Sequence, residues 1–388
     1  MANLFLVPNF VVSGEGALKL GIEQLTGVGK KALVVTDKSM VDLGNVKKLT
    51  DELDAQGIVY HIYPEINTEP THTMIDIGVD LYRSENCDFL IAIGGGSPLD
   101  AMKAIGVVLT NGGSIREYFG KKLENSPPIM CAIPTTAGTG SEATKVSIIT
   151  NTETNVKMLL LDPKLMVQYA ILETEFTLTL PASVTAATGV DALAHAVEAY
   201  TSKKASSLSD LYAVSAVKRI FANLKAAYDN GNDFNARKEM LIAAFEGGVA
   251  FSNASVTIVH GMSRPIGALF HVPHGMSNAM LLKVCLEFLK SGAVDRLCDL
   301  AKAVGVFKEG MTEEQAADAF VAEIIALLSV LNLKKPADYG ITKEEFFKQI
   351  PKMASDAMKS GSPLNTRRTP TEEDLRDLYE KFWNENAK

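Results

Sequence analysis

The chain has 388 residues, of which 47% are hydrophobic and 22% charged, a composition that excludes a disordered protein and is typical of a well-packed one. A net charge of −8 argues against a general attraction to nucleic acid or anionic lipid. At roughly 100–200 residues per domain, the length predicts two domains.

The start of the chain lacks the basic and apolar regions of a signal peptide, and no apolar run reaches the roughly 18–20 residues of a membrane span. The four cysteines show no C-x-x-C spacing and are interpreted as reduced core residues. We therefore expect a cytoplasmic protein with neither nucleic acid nor membrane as a partner.

The first half of the chain alternates short β-rich apolar runs with segments of helical period, such as residues 73–85. This alternation predicts a parallel sheet covered by helices on both faces. The predicted strands begin at Phe10, Lys31, Ile58, Asp88 and Ile129.

Strand signals nearly vanish after about residue 180, and helical periods dominate the rest of the chain. The predicted helices are 184–201, 207–229, 235–252, 276–291, 313–331 and 371–385. The predicted organisation is an α/β domain over 1–180 and an all-helical domain over 181–388.

A glycine-rich turn, Gly94-Gly95-Gly96-Ser97, follows the predicted strand that begins at Asp88. Ser97 suits the N-cap of a helix, and Asp100, three residues later, suits a capping box. Glycines let the backbone approach an anion, and a helix N-terminus offers free N–H groups. The pattern therefore favours a phosphate site, with an ordinary strand-to-helix turn as the alternative.

A second loop of small hydroxyl residues and glycines, 134–142, follows the next predicted strand. Two such loops after adjacent strands are better explained by one shared ligand at the carboxyl edge of the sheet, as in dinucleotide-binding folds. Asp37 ends another strand of that sheet, where a carboxylate can bond the adenosine ribose and repel a 2′-phosphate. The alternative for Asp37 is a helix cap.

Four of the six histidines lie between residues 195 and 274. Asp191 and His195 are four residues apart and share one face of a predicted helix. His260, His271 and His274 add three imidazoles, and a carboxylate with two or three imidazoles suits Fe²⁺, Zn²⁺ or Mn²⁺. Each residue alone is more often structural, but the set predicts a metal site.

These motifs resemble the iron-containing (group III) alcohol dehydrogenases, and the resemblance extends in order over essentially the whole chain. It is carried by 34–37, 94–100, 134–142, 187–195 and 260–274. It implies an α/β N-terminal nucleotide-binding domain with a parallel sheet, an all-α C-terminal metal-binding domain, and an active site between them.

The resemblance also implies roles for individual residues. The metal ligands would be Asp191, His195, His260 and His274. The cofactor would contact Asp37, Gly95, Gly96, Ser97, Thr135, Thr136, Thr139 and Lys157. The predicted cofactor site also includes Gly94, Asp100, Ser141 and Thr144 of the same two loops.

One position departs from the family pattern. Many relatives carry a proton-transferring histidine where this chain has Arg264, which cannot accept a proton at neutral pH. We therefore place Arg264 and His271 in the predicted catalytic site, with Arg264 orienting substrate or cofactor and His271 relaying the proton. The alternative is that the proton passes directly to water.

The predicted activity is interconversion of small primary alcohols or diols and aldehydes by hydride transfer with NAD(H). Fe²⁺ is the predicted metal, Zn²⁺ the alternative, and a homodimer or higher homo-oligomer the predicted assembly. Alternative functions are a dehydroquinate synthase-like lyase, glycerol dehydrogenase-like polyol oxidation, and a non-catalytic assembly protein. A small apolar substrate pocket is predicted around Phe251, Met262, Phe270 and Val272, each of which is equally suited to a core.

Overall fold

The computed structural model describes residues 4–154 and 156–386. The chain divides into two compact units, of which the first extends to Thr179 and the second begins at Leu180. No single helix in the described ranges is long and apolar enough to cross a membrane. The consecutive helices Phe234–Ala254 and Ile258–Phe270 meet that test only as a pair, with a bend of 104° between them.

The first unit is built on a six-stranded, fully parallel sheet with the order β1-β8-β5-β4-β2-β3, beside a two-stranded antiparallel hairpin, β6-β7. The strands are β1 (Phe10–Ser13), β2 (Lys31–Val35), β3 (Val59–Tyr63), β4 (Phe89–Gly94), β5 (Met130–Pro134), β6 (Val146–Asn151), β7 (Val156–Leu161) and β8 (Tyr169–Leu172). The central strands β4 and β5 are buried along their whole length, as expected for a parallel sheet covered on both faces.

Five α-helices accompany the sheet, and two apolar cores form on its opposite faces. The helices are α1 (Ala17–Glu23), α2 (Lys38–Asp42), α3 (Asn45–Ala55), α4 (His72–Ser84) and α5 (Gly96–Asn111). The predicted α/β architecture is confirmed.

The sequence prediction missed β6, β7 and β8. The hairpin strands β6 and β7 alternate buried and accessible residues along part of their length, a pattern that resembles a surface strand more than the continuous apolar runs of a parallel sheet. Strand β8 has only four residues, too few for a clear periodic signal.

The second unit is helical, as predicted. Its helices are α6 (Ala182–Thr201), α7 (Ser207–Asp229), α8 (Phe234–Ala254), α9 (Ile258–Phe270), α10 (His274–Leu289), α11 (Val294–Ala303), α12 (Glu313–Ser329), α13 (Lys343–Lys359) and α14 (Glu372–Asn386). Helix α6 is buried on all sides from Gly189 onward, which identifies it as the central helix of this unit.

Helix α9, which carries His260, was not predicted. Gly261, Pro265 and Gly267 lie inside it, and each disfavours a helix when judged from local sequence alone. Burial of its apolar residues in the unit outweighs these local preferences. Helices α11 and α13 were missed as well.

Candidate functional site

The second unit brings the four predicted metal ligands together from three helices. Asp191 and His195 lie one turn apart on α6, His260 lies on α9, and His274 is the first residue of α10. The Nε2 atoms of His260, His274 and His195 lie 3.5, 3.8 and 4.0 Å from Asp191 Oδ1. Asp191, His195 and His260 thus form one compact donor group, and His274 Nε2 also lies close to the Asp191 carboxylate.

The spacing of these atoms suits a metal ion. Ligands at about 2.1 Å from an ion in tetrahedral arrangement are separated by about 3.4 Å, close to the observed distances. Asp191, His195 and His260 are buried, whereas the side chain of His274 is 40% exposed, so the cluster is accessible on the His274 side. The donor set, one carboxylate and three imidazoles, is one that Fe²⁺ or Zn²⁺ accepts.

Asn278, which the sequence analysis did not single out, contacts three of these donor atoms at once. Its Nδ2 lies 2.6 Å from Asp191 Oδ1, 3.0 Å from His260 Nε2 and 3.2 Å from His274 Nε2. A single amide nitrogen can contact all three only if they face a common point. Its position four residues after His274, on the same face of α10, is the sequence signal that could have identified it.

Glu198 fixes the orientation of His260. The fully buried Glu198 carboxylate contacts His260 Nδ1 through Oε2. Its Oε1 accepts hydrogen bonds from the backbone N–H of Thr257 and of Val259, each at 2.9 Å, at the start of α9. Because a carboxylate can only accept, His260 presents Nδ1–H to Glu198 and leaves the Nε2 lone pair for a metal.

Buried charge dominates the electrostatics of this cluster. Burial opposes ionisation of Asp191, but the three histidines outweigh it and hold the pKa of this carboxyl below its usual range. Burial lowers the pKa of His195 to about 3. Burial also disfavours protonation of His260, yet Glu198 and Asp191 prevail and raise its pKa to about 9. The buried carboxylates of Asp191 and Glu198 are therefore stabilised by nearby positive charge, which a divalent ion would supply.

Close packing of the helices makes this convergence possible. A Cβ atom on Gly275 would lie 2.6 Å from the carbonyl oxygen of Ala187, so only glycine lets α10 approach α6 here. The His195 ring stacks on Phe251, with centroids 4.1 Å apart. His195 Nδ1 is buried without a hydrogen-bond partner in the described residues, and the stacking leaves its Nε2 directed at Asp191.

The two predicted catalytic residues lie outside the ligand cluster. Arg264 is partly buried one turn after His260 on α9, and its Nη1 donates to Ser362 Oγ at 3.0 Å. Burial lowers the pKa of this guanidinium, and the Glu198 carboxylate opposes that effect. His271 ends α9 in the left-handed region, with φ of 55°, and is exposed.

The predicted apolar pocket residues separate into two groups. Phe251 stacks on His195 and so borders the candidate metal site. Phe270 instead stacks on Phe346, with centroids 5.7 Å apart, and Met262 and Val272 are buried in the core.

The predicted nucleotide loops meet at one edge of the sheet in the first unit. Strands β4 and β5 are hydrogen-bonded neighbours, with Gly94 opposite Pro134. A Cβ on Gly96 would lie 3.0 Å from Thr139 Cγ2, and one on Gly95 would lie 3.6 Å from Thr136 Cγ2. Thr135 Oγ1 is buried and lacks a partner in the part of the chain that the structure describes. The loops therefore form a tight polar cradle, as expected for a phosphate or ribose site.

The start of α5 differs from the prediction. Gly95, not Ser97, is the N-cap, no side chain caps the helix, and the capping box of Ser97 and Asp100 does not form. The reason is that Asp100 bonds elsewhere: it accepts from Ser141 Oγ at 2.7 Å and from the Ile148 N–H at 2.9 Å. The uncapped first turn of this 16-residue helix is suited to an anion.

A buried lysine joins this region to the second loop. Lys103 Nζ donates to the carbonyl oxygens of Ser141, Thr144 and Val146 at 2.7–2.9 Å and to Thr144 Oγ1 at 3.0 Å. Asp100, Ser141 and Thr144, predicted to contact the cofactor, thus use their hydrogen bonds within the protein and position the loops.

The other two predicted cofactor residues lie outside the two loops. Asp37 follows β2, and its Oδ1 accepts from the Met40 N–H at 3.0 Å as the N-cap of α2. Its Oδ2 lies beside Gly94, within 3.3 Å of where a Cβ would stand. Asp37 is therefore a helix cap with one oxygen left at the edge where the loops meet. Lys157, on β7, forms an ion pair with Glu69 at 2.6 Å.

Comparison with known proteins decides the family. The model for "Iron-containing alcohol dehydrogenase" matches residues 8–174, and that for "Fe-containing alcohol dehydrogenase family, C-terminal" matches residues 185–383. The chain belongs to the iron-containing alcohol dehydrogenase family.

Individual relatives agree with this assignment to the iron-containing alcohol dehydrogenases. Lactaldehyde reductase of Escherichia coli K12 is 35% identical over 388 residues, which cover 99% of this chain and all of the relative. NAD-dependent methanol dehydrogenase of Bacillus methanolicus is 34% identical, covering 97% of this chain and 99% of its own. The crystal structure of a 1,3-propanediol oxidoreductase superposes with a TM-score of 0.95 at 34% identity, covering 98% of this chain and all of the other.

As an iron-containing alcohol dehydrogenase, the protein is an oxidoreductase that interconverts alcohols and aldehydes. These matches favour that activity over the lyase and polyol alternatives. The family uses a metal ion together with NAD(H), and Asp191, His195 and His260 form a group in this chain that could hold such an ion.

Proposed function

We propose that the protein is an NAD-dependent, Fe²⁺-containing dehydrogenase of small primary alcohols, with one ion per chain held by Asp191, His195, His260 and His274. Zn²⁺ is the alternative ion. The observation that supports this most directly is the convergence of four donor atoms on one volume, with three Nε2 atoms within 4.0 Å of Asp191 Oδ1.

The balanced reaction is alcohol plus NAD⁺ giving aldehyde, NADH and one proton. When bound, the metal supplies Lewis-acid activation of the substrate oxygen and NAD⁺ accepts the hydride. The protein's own part is orientation: Glu198 keeps the His260 lone pair directed at the ion, and Phe251 holds the His195 ring by stacking.

The first unit would bind the cofactor. The uncapped N-terminus of α5 and the buried Thr135 hydroxyl are suited to phosphate and ribose oxygens, and Asp37 offers a carboxylate to the adenosine ribose. Lys157 would add a cation near this site. A homo-oligomeric assembly and a proton relay through the exposed His271 stay predictions.

The test is NADH formation by the metal-loaded protein with a panel of one- to four-carbon alcohols and diols. Turnover should require the metal, and His195→Ala should lose both bound metal and activity. Turnover that persists in His195→Ala, with the metal absent by elemental analysis, would contradict the proposal.

A further inference from the structure

Arg264 differs from the other arginines of the second unit in how little of its charge is compensated. Those at 219, 296, 367 and 376 each pair with a carboxylate, and Arg368 donates to Phe288 O and Ser291 Oγ and lies over the Phe288 ring. The fully buried Arg237 donates to Gly231 O, Thr185 Oγ1 and Leu180 O at 2.6–3.0 Å. These arginines have evident structural partners within the described ranges.

Arg264, by contrast, has one hydrogen bond, from Nη1 to Ser362 Oγ, and no ion pair among the described residues. A guanidinium carries five N–H donors. The nearby carboxylate of Glu198 cannot serve it, because its oxygens are occupied by His260 and by the backbone of α9. A partly buried charge left with one neutral partner is costly unless an anion meets it.

The position of Arg264 on α9 relates it to the metal cluster. At about 100° per residue, Arg264 lies roughly 40° around the helix from His260 and roughly 60° from Gly261. Gly261 faces the segment that follows Ser362, since a Cβ there would lie 2.6 Å from Pro363 Cγ. Arg264 therefore lies between the metal-binding face of α9 and this segment, about 6 Å along the axis from His260.

We infer that Arg264 binds an anionic group on the substrate, so that the natural aldehyde carries a carboxylate, sulfonate or phosphonate a few carbons from its carbonyl. This inference rests on the proposed function, because it places the reacting oxygen at the metal cluster. Arg264 lies about one helical turn from His260, so an anion that it binds would lie on the same side of α9 as the reacting oxygen. A planar guanidinium with unused donors suits such oxyanions through paired hydrogen bonds.

The experiment compares anionic with neutral aldehydes in the metal-loaded protein at saturating NADH. The anionic probes are succinic semialdehyde, sulfoacetaldehyde and phosphonoacetaldehyde, which separate the three oxyanions, and the neutral probes are propanal and butanal. The kcat/KM of at least one anionic probe should exceed that of the neutral probes. In Arg264→Met the ratio of anionic to neutral kcat/KM should fall about tenfold to a hundredfold, through KM.

Two further variants separate recognition from structure. Arg264→Lys keeps the charge without the paired donors. Its ratio of anionic to neutral kcat/KM should lie between those of Arg264→Met and the wild type. Arg367→Met removes an arginine that pairs with Asp295 near the same segment and should leave the ratio as in the wild type. Titration with succinate, which cannot be reduced, should show weaker binding to Arg264→Met than to the wild type.

Three outcomes would overturn the inference. They are neutral aldehydes preferred over every anionic probe, an equal loss for both classes in Arg264→Met, and a loss confined to NADH affinity. If the metal-loaded wild type reduces no aldehyde at all, the proposed function itself fails, and with it this inference.

Discussion

Glu198 connects the start of α9 to the candidate metal site, because one oxygen accepts backbone N–H groups while the other contacts His260. Such outer partners hold a histidine ligand in the correct tautomer and raise its basicity. The i, i+4 pair of Asp191 and His195 could be predicted from the sequence, and Glu198 lies three residues further on the same helix. Its role could not be predicted, since its partner is 62 residues away.

We predict that Glu198→Gln weakens metal binding by about tenfold to a hundredfold. A glutamine side chain retains an oxygen that can accept the α9 N–H groups but loses the charge that faces His260. Competition with a chelator of known affinity measures the effect. Glu246→Gln, which alters a partly buried carboxylate bonded to Ser215 and Arg219, is the control. Equal metal affinity in wild type and Glu198→Gln would contradict this role.

Asp37 caps α2 and is also proposed to select NAD, and one substitution can separate these two roles. Asparagine caps a helix as well as aspartate does, so Asp37→Asn should keep α2 intact while removing the carboxylate charge. If that charge repels the 2′-phosphate of NADP, the NADP-to-NAD ratio of kcat/KM should rise about tenfold to a hundredfold. Asp42→Asn, an exposed change on the same helix, serves as the control. A wild-type enzyme that uses both cofactors equally would refute the assigned role.

At the level of elements, the positions of the two nucleotide loops could be predicted from the sequence. The hydrogen bonds that hold these loops in place could not. The glycine turn and the threonine loop both follow adjacent strands, as their sequence patterns indicated. The predicted cap at Ser97 failed because Asp100 is held by Ser141 and Ile148, which are distant in sequence. Tertiary hydrogen bonds of this kind override a local capping motif, and no periodicity reveals them.

Glu142 follows Ser141 in this anchored loop, and its burial makes the stability of the folded protein depend on pH. It is 1% exposed, and neither carboxylate oxygen has a hydrogen-bond partner within the described residues. Burial raises its pKa from 4.5 to about 7, against the opposing charge of Lys103. Between these values the folded protein keeps a proton that the unfolded chain loses, so stability falls as pH rises from 4.5 to 7.

We therefore predict that Glu142→Gln gains stability relative to wild type as pH is raised from 5 to 8, by up to about 3 kcal/mol in the free energy of unfolding. Thermal melting of the metal-free proteins at both pH values measures the difference. Glu124→Gln, an exposed change in the same unit, should follow the wild type. If the stability of wild type and of Glu142→Gln depends on pH in the same way, the Glu142 carboxyl does not cause that dependence.

For the whole molecule, the parallel sheet, the helical second half and the proposed ligand set all follow from sequence patterns and from the family resemblance. Helix α9 could not be predicted from the sequence, because its internal glycine and proline residues disfavour a helix locally and burial stabilises it. Asn278 lies one turn after His274 on α10, but its contact with Asp191 joins residues 87 positions apart and is not visible in the local sequence.

We propose that one divalent ion on Asp191, His195, His260 and His274 is required for NAD-linked alcohol oxidation. Titrating metal-free protein with Fe²⁺ under anaerobic conditions, while NADH formation from a primary alcohol is followed, tests it most directly. Activity should rise in proportion to added iron and level off at one ion per chain. Full activity before any metal is added, in protein shown to be metal-free, would contradict the account.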